Sequence, residues 1–156
     1  MQIEHAQDEK VSGTQLWLVL IKAYHALLEF TACTLEGSGL GDSDFRVLEA
    51  LLHKGAMPVN VIGPKVFLSP GAISTAVDRL HKAGLVTRTE QAKDRRVRLV
   101  DLTPKGRKLI ERVFAQHKAQ MDALAAELPQ KERRRLAEAL KLLGKRAARE
   151  TRAKEI

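Results

Sequence analysis

The sequence predicts a mainly helical chain with one small β-hairpin, and three observations carry that prediction. Apolar residues recur at steps of three and four over most of the length, from Leu16 to Leu143. Two short runs rich in β-branched residues, Leu85–Thr89 and Val97–Leu102, flank a charged turn. Ser69-Pro70 and Thr103-Pro104 each place a capping hydroxyl before a proline, whose missing N–H costs nothing at the first helical position.

Residues 1–13 have no apolar period and predict a mobile arm. A long helix is predicted from Thr14 to about Leu35, with Leu16, Leu20, Ala23, Leu27 and Phe30 on one side. Trp17, Ile21, Tyr24, Leu28 and Leu35 lie beside them. That arc is too wide for a helix covering one core, so a second copy of the chain is the simplest second neighbour. Gly37-Ser38-Gly39 breaks the chain, and Leu40-Gly41-Asp42-Ser43 starts a helix whose core face is Phe45, Val47, Leu48, Leu51 and Leu52.

Gly55 and Pro58 turn the chain into Val59–Leu68, where Gly63-Pro64 interrupts the helical pattern. Proline clashes with the preceding turn of a helix, so this element either begins near Pro64 or starts at Pro58 and bends. A short or bent helix is expected. The stretch from Ser69 to Leu85 is the clearest in the chain. Ser69 caps it, Ile73, Ala76, Val77 and Leu80 give it a core stripe, and Gly84 suits the left-handed position past its end. Its other face carries Gly71, Ser74, Thr75, Asp78, Arg79 and Lys82.

Helix faces that meet only water are usually filled with stronger helix formers than glycine, serine and threonine. Small hydroxyl side chains near a helix N-terminus instead suit a helix pressed into the major groove of DNA. Gly71 would let a phosphate approach the exposed N–H groups. The two β-branched runs follow at once, joined by Glu90-Gln91-Ala92-Lys93-Asp94-Arg95-Arg96. A recognition helix followed by a basic hairpin is the winged helix-turn-helix arrangement.

After the hairpin, Thr103-Pro104 starts a helix with a seam of Leu109 or Ile110, Val113, Phe114, His117, Met121, Leu124 and Leu128. Pro129 ends it, and Gln130 to about Arg149 forms the last helix, with Leu136, Leu140, Leu143 and Ala147 facing inward. Arg133-Arg134-Arg135 and the basic tail after Gly144 read as a solvated face.

Arg79-Leu80, Gly84-Leu85-Val86, Asp94-Arg95-Arg96 and Leu102-Thr103-Pro104-Lys105-Gly106, in this order and spacing, resemble the MarR family of bacterial transcriptional regulators. The resemblance runs from about Leu16 to Leu143 and implies one MarR-type domain over residues 1–156. In it, 14–36 and 104–150 would be dimerisation helices and 40–103 the DNA-binding lobe. It further implies a near-palindromic operator, with half-sites about one helical turn apart, bound by a homodimer that usually represses. Ser69, Ser74 and Thr75 would touch bases or phosphates, while Arg79 and Lys82 would hold the backbone. The tip, with Lys93, would send Arg95 or Arg96 to the minor groove, with Asp94 orienting the arginine. Many relatives release DNA when a small aromatic or phenolic acid binds, and Trp17 and Tyr24 could line such a pocket.

Charge supports an acidic partner. Of the net +8, residues 1–62 contribute −4, residues 63–108 contribute +7 and residues 109–156 contribute +5. The excess peaks on the helix and hairpin. With 44% apolar but only 4% aromatic residues, the core must be mostly aliphatic.

A single cysteine excludes an internal disulfide, and the polar first ten residues do not read as a signal peptide. The most apolar stretch, Leu16–Leu28, contains Lys22 and His25 and reads as too short to span a bilayer, so a cytoplasmic protein is expected. The five histidines and Cys33 show no metal-ligand spacing, and no glycine-rich phosphate loop, nucleophile elbow or carboxylate pair is present. No enzyme, metal or cofactor is expected. Two rival readings remain: a winged helix used for protein contact, and a redox sensor acting through Cys33. A reactive thiol needs a nearby cation or a helix N-terminus. Cys33 has Phe30, Ala32, Leu35, Glu29 and Glu36 around it, so a buried structural thiol is expected.

Overall fold

Local signals at the helix ends set most boundaries in the computed structural model, which describes residues 10–91 and 94–154, the side chains of 91 and 94–97 excepted. In chain order the elements are α1 (Gly13–Thr34), α2 (Asp42–Lys54), β1 (Met57–Pro58), α3 (Val59–Lys65), α4 (Pro70–Lys82), β2 (Val86–Gln91), β3 (Asp94–Leu102), α5 (Pro104–Ala125) and α6 (Gln130–Ala153). Most of the predicted arm lies outside the described residues. Its end does not: Ser12 caps α1, its Oγ accepting from the Gln15 N–H at 3.2 Å while Gln15 Oε1 accepts from the Ser12 N–H at 2.7 Å. This reciprocal capping box fixes where α1 begins.

The element over Val59–Leu68, expected to be short or bent, is a short helix. It starts after Pro58, places Pro64 in its last turn and stops at Lys65. The hairpin is also more than a hairpin. Met57 and Pro58 form a third strand on β3, opposite Val100 and Leu99, giving an antiparallel sheet in the order β1-β3-β2. The strands run further toward the tip than the β-branched runs suggested, so the backbone of Asp94, Arg95 and Arg96 belongs to β3 and not to a turn. The pairing becomes irregular between Glu90 and Gln91.

The chain divides into two compact units, one reaching to Phe114 and one from Ala115 onward. The core of the first is aliphatic. Leu48 and Leu51 of α2, Ile62 of α3, Val77 and Leu80 of α4, Val86 and Val100 of the sheet, and Ile110 and Val113 of α5 are all fully buried. Burying a side chain of this size stabilises a fold by about 1.5–3 kcal/mol, so these contacts dominate the lobe that presents α4.

Helix α1 contributes little to that core, with Thr34 its one buried residue. Leu16, Trp17, Leu18, Val19, Tyr24 and Leu27 all lie exposed. Its 22 residues are long and apolar enough to cross a membrane by length and composition, which corrects the shorter estimate from Leu16–Leu28. Cys33 is also exposed. Leu35 turns into the core and Phe30 is half-buried, but Ala32 and Cys33 face the other side of the helix end, so the expectation of a buried thiol fails.

In the second unit, α6 has no buried residue among those described. Leu136, Leu140 and Leu143, expected to face inward, are 50%, 41% and 40% exposed. Helical spacing identified the apolar stripe correctly, but this chain does not cover it. The α5 seam divides in the same way: Ile110 and Val113 are buried, whereas Leu124 and Leu128 are exposed.

Candidate nucleic-acid interface

Helix α4 is built as its sequence dictates. Ser69 Oγ accepts from the Ala72 N–H at 3.3 Å, and Pro70 occupies the first turn. At the other end Gly84 adopts φ +69°, and the Leu85 N–H returns to the Leu80 carbonyl at 3.0 Å. This pairing is the Schellman C-cap. Ile73, Ala76, Val77 and Leu80 are buried and pack α4 on α2 and α3. Gly63 permits the close approach, because a Cβ there would lie 3.3 Å from Ile73 Cγ2. The opposite face, with Ser69, Gly71, Ser74, Thr75, Asp78, Arg79 and Lys82, is exposed throughout.

The motif after the hairpin clamps the end of this helix. Thr103 Oγ1 donates to the Gly84 carbonyl at 2.8 Å and accepts from the Gly106 N–H at 2.9 Å. The Thr103 N–H donates to the Leu85 carbonyl at 3.0 Å, and Lys105 Nζ donates to the Ala83 carbonyl at 3.0 Å. Thr103 and Lys105 thus take up the carbonyls of Ala83, Gly84 and Leu85 where α4 ends, and the Gly106 N–H holds the threonine hydroxyl in place.

Two ion pairs fix the orientation of α4. Arg79 reaches the buried carboxylate of Asp44 on α2, Nε to Oδ2 at 2.8 Å and Nη2 to Oδ1 at 2.7 Å, and Nη2 also meets Ser43 Oγ at 3.2 Å. Hydrogen bonding to Asp44 raises the already high pKa of the guanidinium. This bidentate pair gives Arg79 a positioning role on α4, while half of its side chain stays open to solvent. Asp78 pairs with Arg88 of β2, tying α4 to the sheet. The hydrogen bond and charge of Arg88 hold the Asp78 carboxyl below the ordinary aspartate range.

Between α4, the start of α3 and the sheet lies a cleft of about 460 Å³, lined by Asn60, Ser74, Asp78, Arg88 and Arg98 among others. Two arginines against one aspartate favour an anion there. Arg88 and Arg98 were missed from the sequence, though the two-residue period of a strand could have found them. Arg88 stands opposite Val100, so Val86, Arg88, Arg98 and Val100 share one sheet face. The buried valines mark that face as the one turned to the helices.

Lys93 lies outside the described residues, as do the side chains of Asp94, Arg95 and Arg96, so the predicted tip contacts find no geometry here. Trp17 and Tyr24, suggested as pocket residues, are 58% and 51% exposed on α1. No cluster of three or more metal-ligating side chains occurs among the described residues.

Comparison with known proteins agrees with this architecture. The family model described as MarR family matches residues 38–97, from the end of the α1–α2 loop into β3. The chain is 35% identical over 130 residues to the HTH-type transcriptional regulator MhqR of Bacillus subtilis, covering 83% of this chain and 90% of that one. It is 32% identical over 127 residues to the HTH-type transcriptional repressor MdtR of the same organism, covering 80% and 79%. Among solved structures it is similar to Bordetella bronchiseptica BpsR, whose DNA binding is regulated by 6-hydroxynicotinic acid, with a TM-score of 0.75 and 25% identity over 83% of this chain and 98% of that one. With a winged helix-turn-helix lobe, an exposed reading face and this degree of likeness, the chain belongs to the MarR family of DNA-binding transcriptional regulators.

Proposed function

We propose that this protein is a cytoplasmic repressor that binds a near-palindromic operator as a homodimer and leaves it when a small aromatic or phenolic acid binds. The observation that carries the reading is the solvent-facing side of α4, where Gly71, Ser74, Thr75 and Lys82 stand exposed on a helix otherwise locked to its lobe. Ser69, Ser74 and Thr75 read bases or hold phosphates, Gly71 admits a phosphate to the helix N-terminus, and Lys82 holds the backbone. Arg95 or Arg96, oriented by Asp94 and accompanied by Lys93, serves the minor groove. Arg88 and Arg98 add positive charge beside the helix.

A second copy is supported by the apolar surfaces of α1 and α6, whose leucines this chain leaves open to water. A twofold partner would cover these side chains on both copies at once. It would also set two copies of α4 about one helical turn of DNA apart. Effector release is supported by the regulation of BpsR by 6-hydroxynicotinic acid. Trp17 and Tyr24 supply aromatic surface for a flat ring.

Selecting DNA fragments with the purified protein, then sequencing them, tests the reading directly. A recurrent inverted repeat is expected, together with a sedimenting mass twice that of the chain. A monomer that enriches no sequence would sink it. One observation favours a second reading: the exposed thiol of Cys33 is accessible to oxidants. If mild peroxide releases the wild type from DNA and not Cys33→Ser, release is redox-driven instead.

A further inference from the structure

Two helices of the DNA-binding lobe end in the same backbone motif, and only one of them ends sensibly. Helix α4 closes with Gly84 in the left-handed conformation. Helix α3 closes the same way: the Leu68 N–H returns to the Gly63 carbonyl at 3.0 Å, and the residue between cap and return is Phe67, with φ +54°. It is the one non-glycine residue with positive φ among those described. Left-handed backbone crowds any Cβ, which is why glycine prevails at this position.

Phe67 carries a second disadvantage. Its ring is 89% exposed, the most exposed large apolar side chain described, so it gains nothing from the core. Glycine would remove both costs. The surroundings nevertheless hold the strained conformation firmly, since Arg46 Nη1 donates to the Val66 carbonyl at 3.1 Å and Ser69 begins α4 two residues on. A strained residue that the framework fixes in place, with no return in packing, marks a site kept for something outside the fold.

The position identifies what that is. Phe67 stands in the turn immediately before the N-terminus of α4, the end that carries Ser69, Gly71, Ser74 and Thr75. Pro64 and Pro70, three residues before and after it in the chain, line a cleft with Leu68 and with Ser74 of α4, so apolar surface reaches the exposed face of that helix. This surface lies within the segment of residues 63–108, whose net charge of +7 selects a polyanion over an ordinary protein surface. DNA offers apolar carbon to such a surface in two places, the thymine methyl in the major groove and the deoxyribose. We infer that Phe67 is a DNA-contacting residue, packing its ring against apolar carbon of the operator beside the recognition helix. The inference rests on the DNA-binding reading above and adds an apolar contact to its polar ones.

The test uses the full-length protein and the operator recovered by selection. Phe67→Gly should raise Tm by about 2–4 °C, because the strain disappears. The same variant should bind operator about tenfold more weakly, because a ring contact is lost. Stability and affinity therefore move in opposite directions, which a purely structural role would not produce. The dependence of binding on salt should not change, since no charge is removed. Phe67→Leu should keep most of the affinity. Replacing thymines by deoxyuridine in the operator separates the two sources: if the wild type weakens and Phe67→Gly does not respond, the contact is the methyl; if neither responds, it is the sugar. Operator binding by Phe67→Gly equal to that of the wild type overturns the inference and leaves the regulator reading standing, and a change in sedimenting mass alongside would reassign the ring to a protein contact. A wild type that enriches no DNA removes both.

Discussion

Gly106, in the first turn of α5, sits so close to Leu85 that a Cβ added to it would lie 1.9 Å from the Leu85 carbonyl oxygen. The neighbour is backbone, and that backbone is held by Thr103 and capped onto α4, so it has nowhere to go. Gly106→Ala should therefore destabilise the lobe by about 2–3 kcal/mol, the range for overpacking a well-built site. Thermal unfolding reads this as a fall in Tm of about 5–10 °C. An alanine variant as stable as the wild type would mean that α5 can slide away from the end of α4.

Arg79 and Asp44 should behave as a structural pair. Truncating Arg79 to alanine leaves a buried carboxylate without its partner, at a cost of about 2–3 kcal/mol in urea unfolding. Asp44→Ala combined with Arg79→Ala should cost less than the sum of the two single changes, because the orphaned charge goes too. If instead Arg79→Ala is as stable as the wild type and the slope of log affinity against log salt falls by about 1, the arginine acts on phosphate.

Thr75 and Arg96 should fail differently. Thr75→Ala, on the exposed face of α4, should relax sequence preference and leave binding to random DNA largely intact. Arg96→Ala should weaken operator and random DNA together, with the salt slope falling by about 1. Titration of labelled operator and scrambled duplex at several salt concentrations separates the two. Equal behaviour of both variants would mean that helix and wing do not divide the work.

The Asp78–Arg88 link makes a prediction about acid. Its folded-state pKa lies below the ordinary 3.8, so the pair stabilises the fold above that value and is lost as pH falls through the lower one. The gap in Tm between wild type and Asp78→Asn, small at neutral pH for a pair so exposed, should close as the pH falls below the ordinary aspartate range. A gap that persists there would assign it to something other than the carboxylate charge.

What could be read from the sequence was whatever is decided within a few residues. The cap at Ser69, the proline after it, the period of Ile73 to Leu80 and the glycine at 84 all act locally, and α4 follows from them. Strand β1 was invisible because two residues have no period, and they become a strand only by pairing with Leu99 and Val100 some forty positions away. The Arg79–Asp44 pair was missed for a related reason, since Asp44 lies 35 residues distant and a basic residue on an exposed helix face looks free. Cys33 and Leu140 share a third cause. Helical spacing shows which side of a helix is apolar, but it carries no information on whose surface covers that side.

Strand β1 also limits how this chain can associate. It is two residues long, runs directly into α3 and contains Pro58, which has no N–H to offer a further strand. The other edge, β2, presents Arg88 and Glu90 among its residues, charges that discourage backbone pairing between molecules. Neither border of the sheet is a template for growth. Even at high concentration, copies of this protein should therefore not join through sheet extension into fibres.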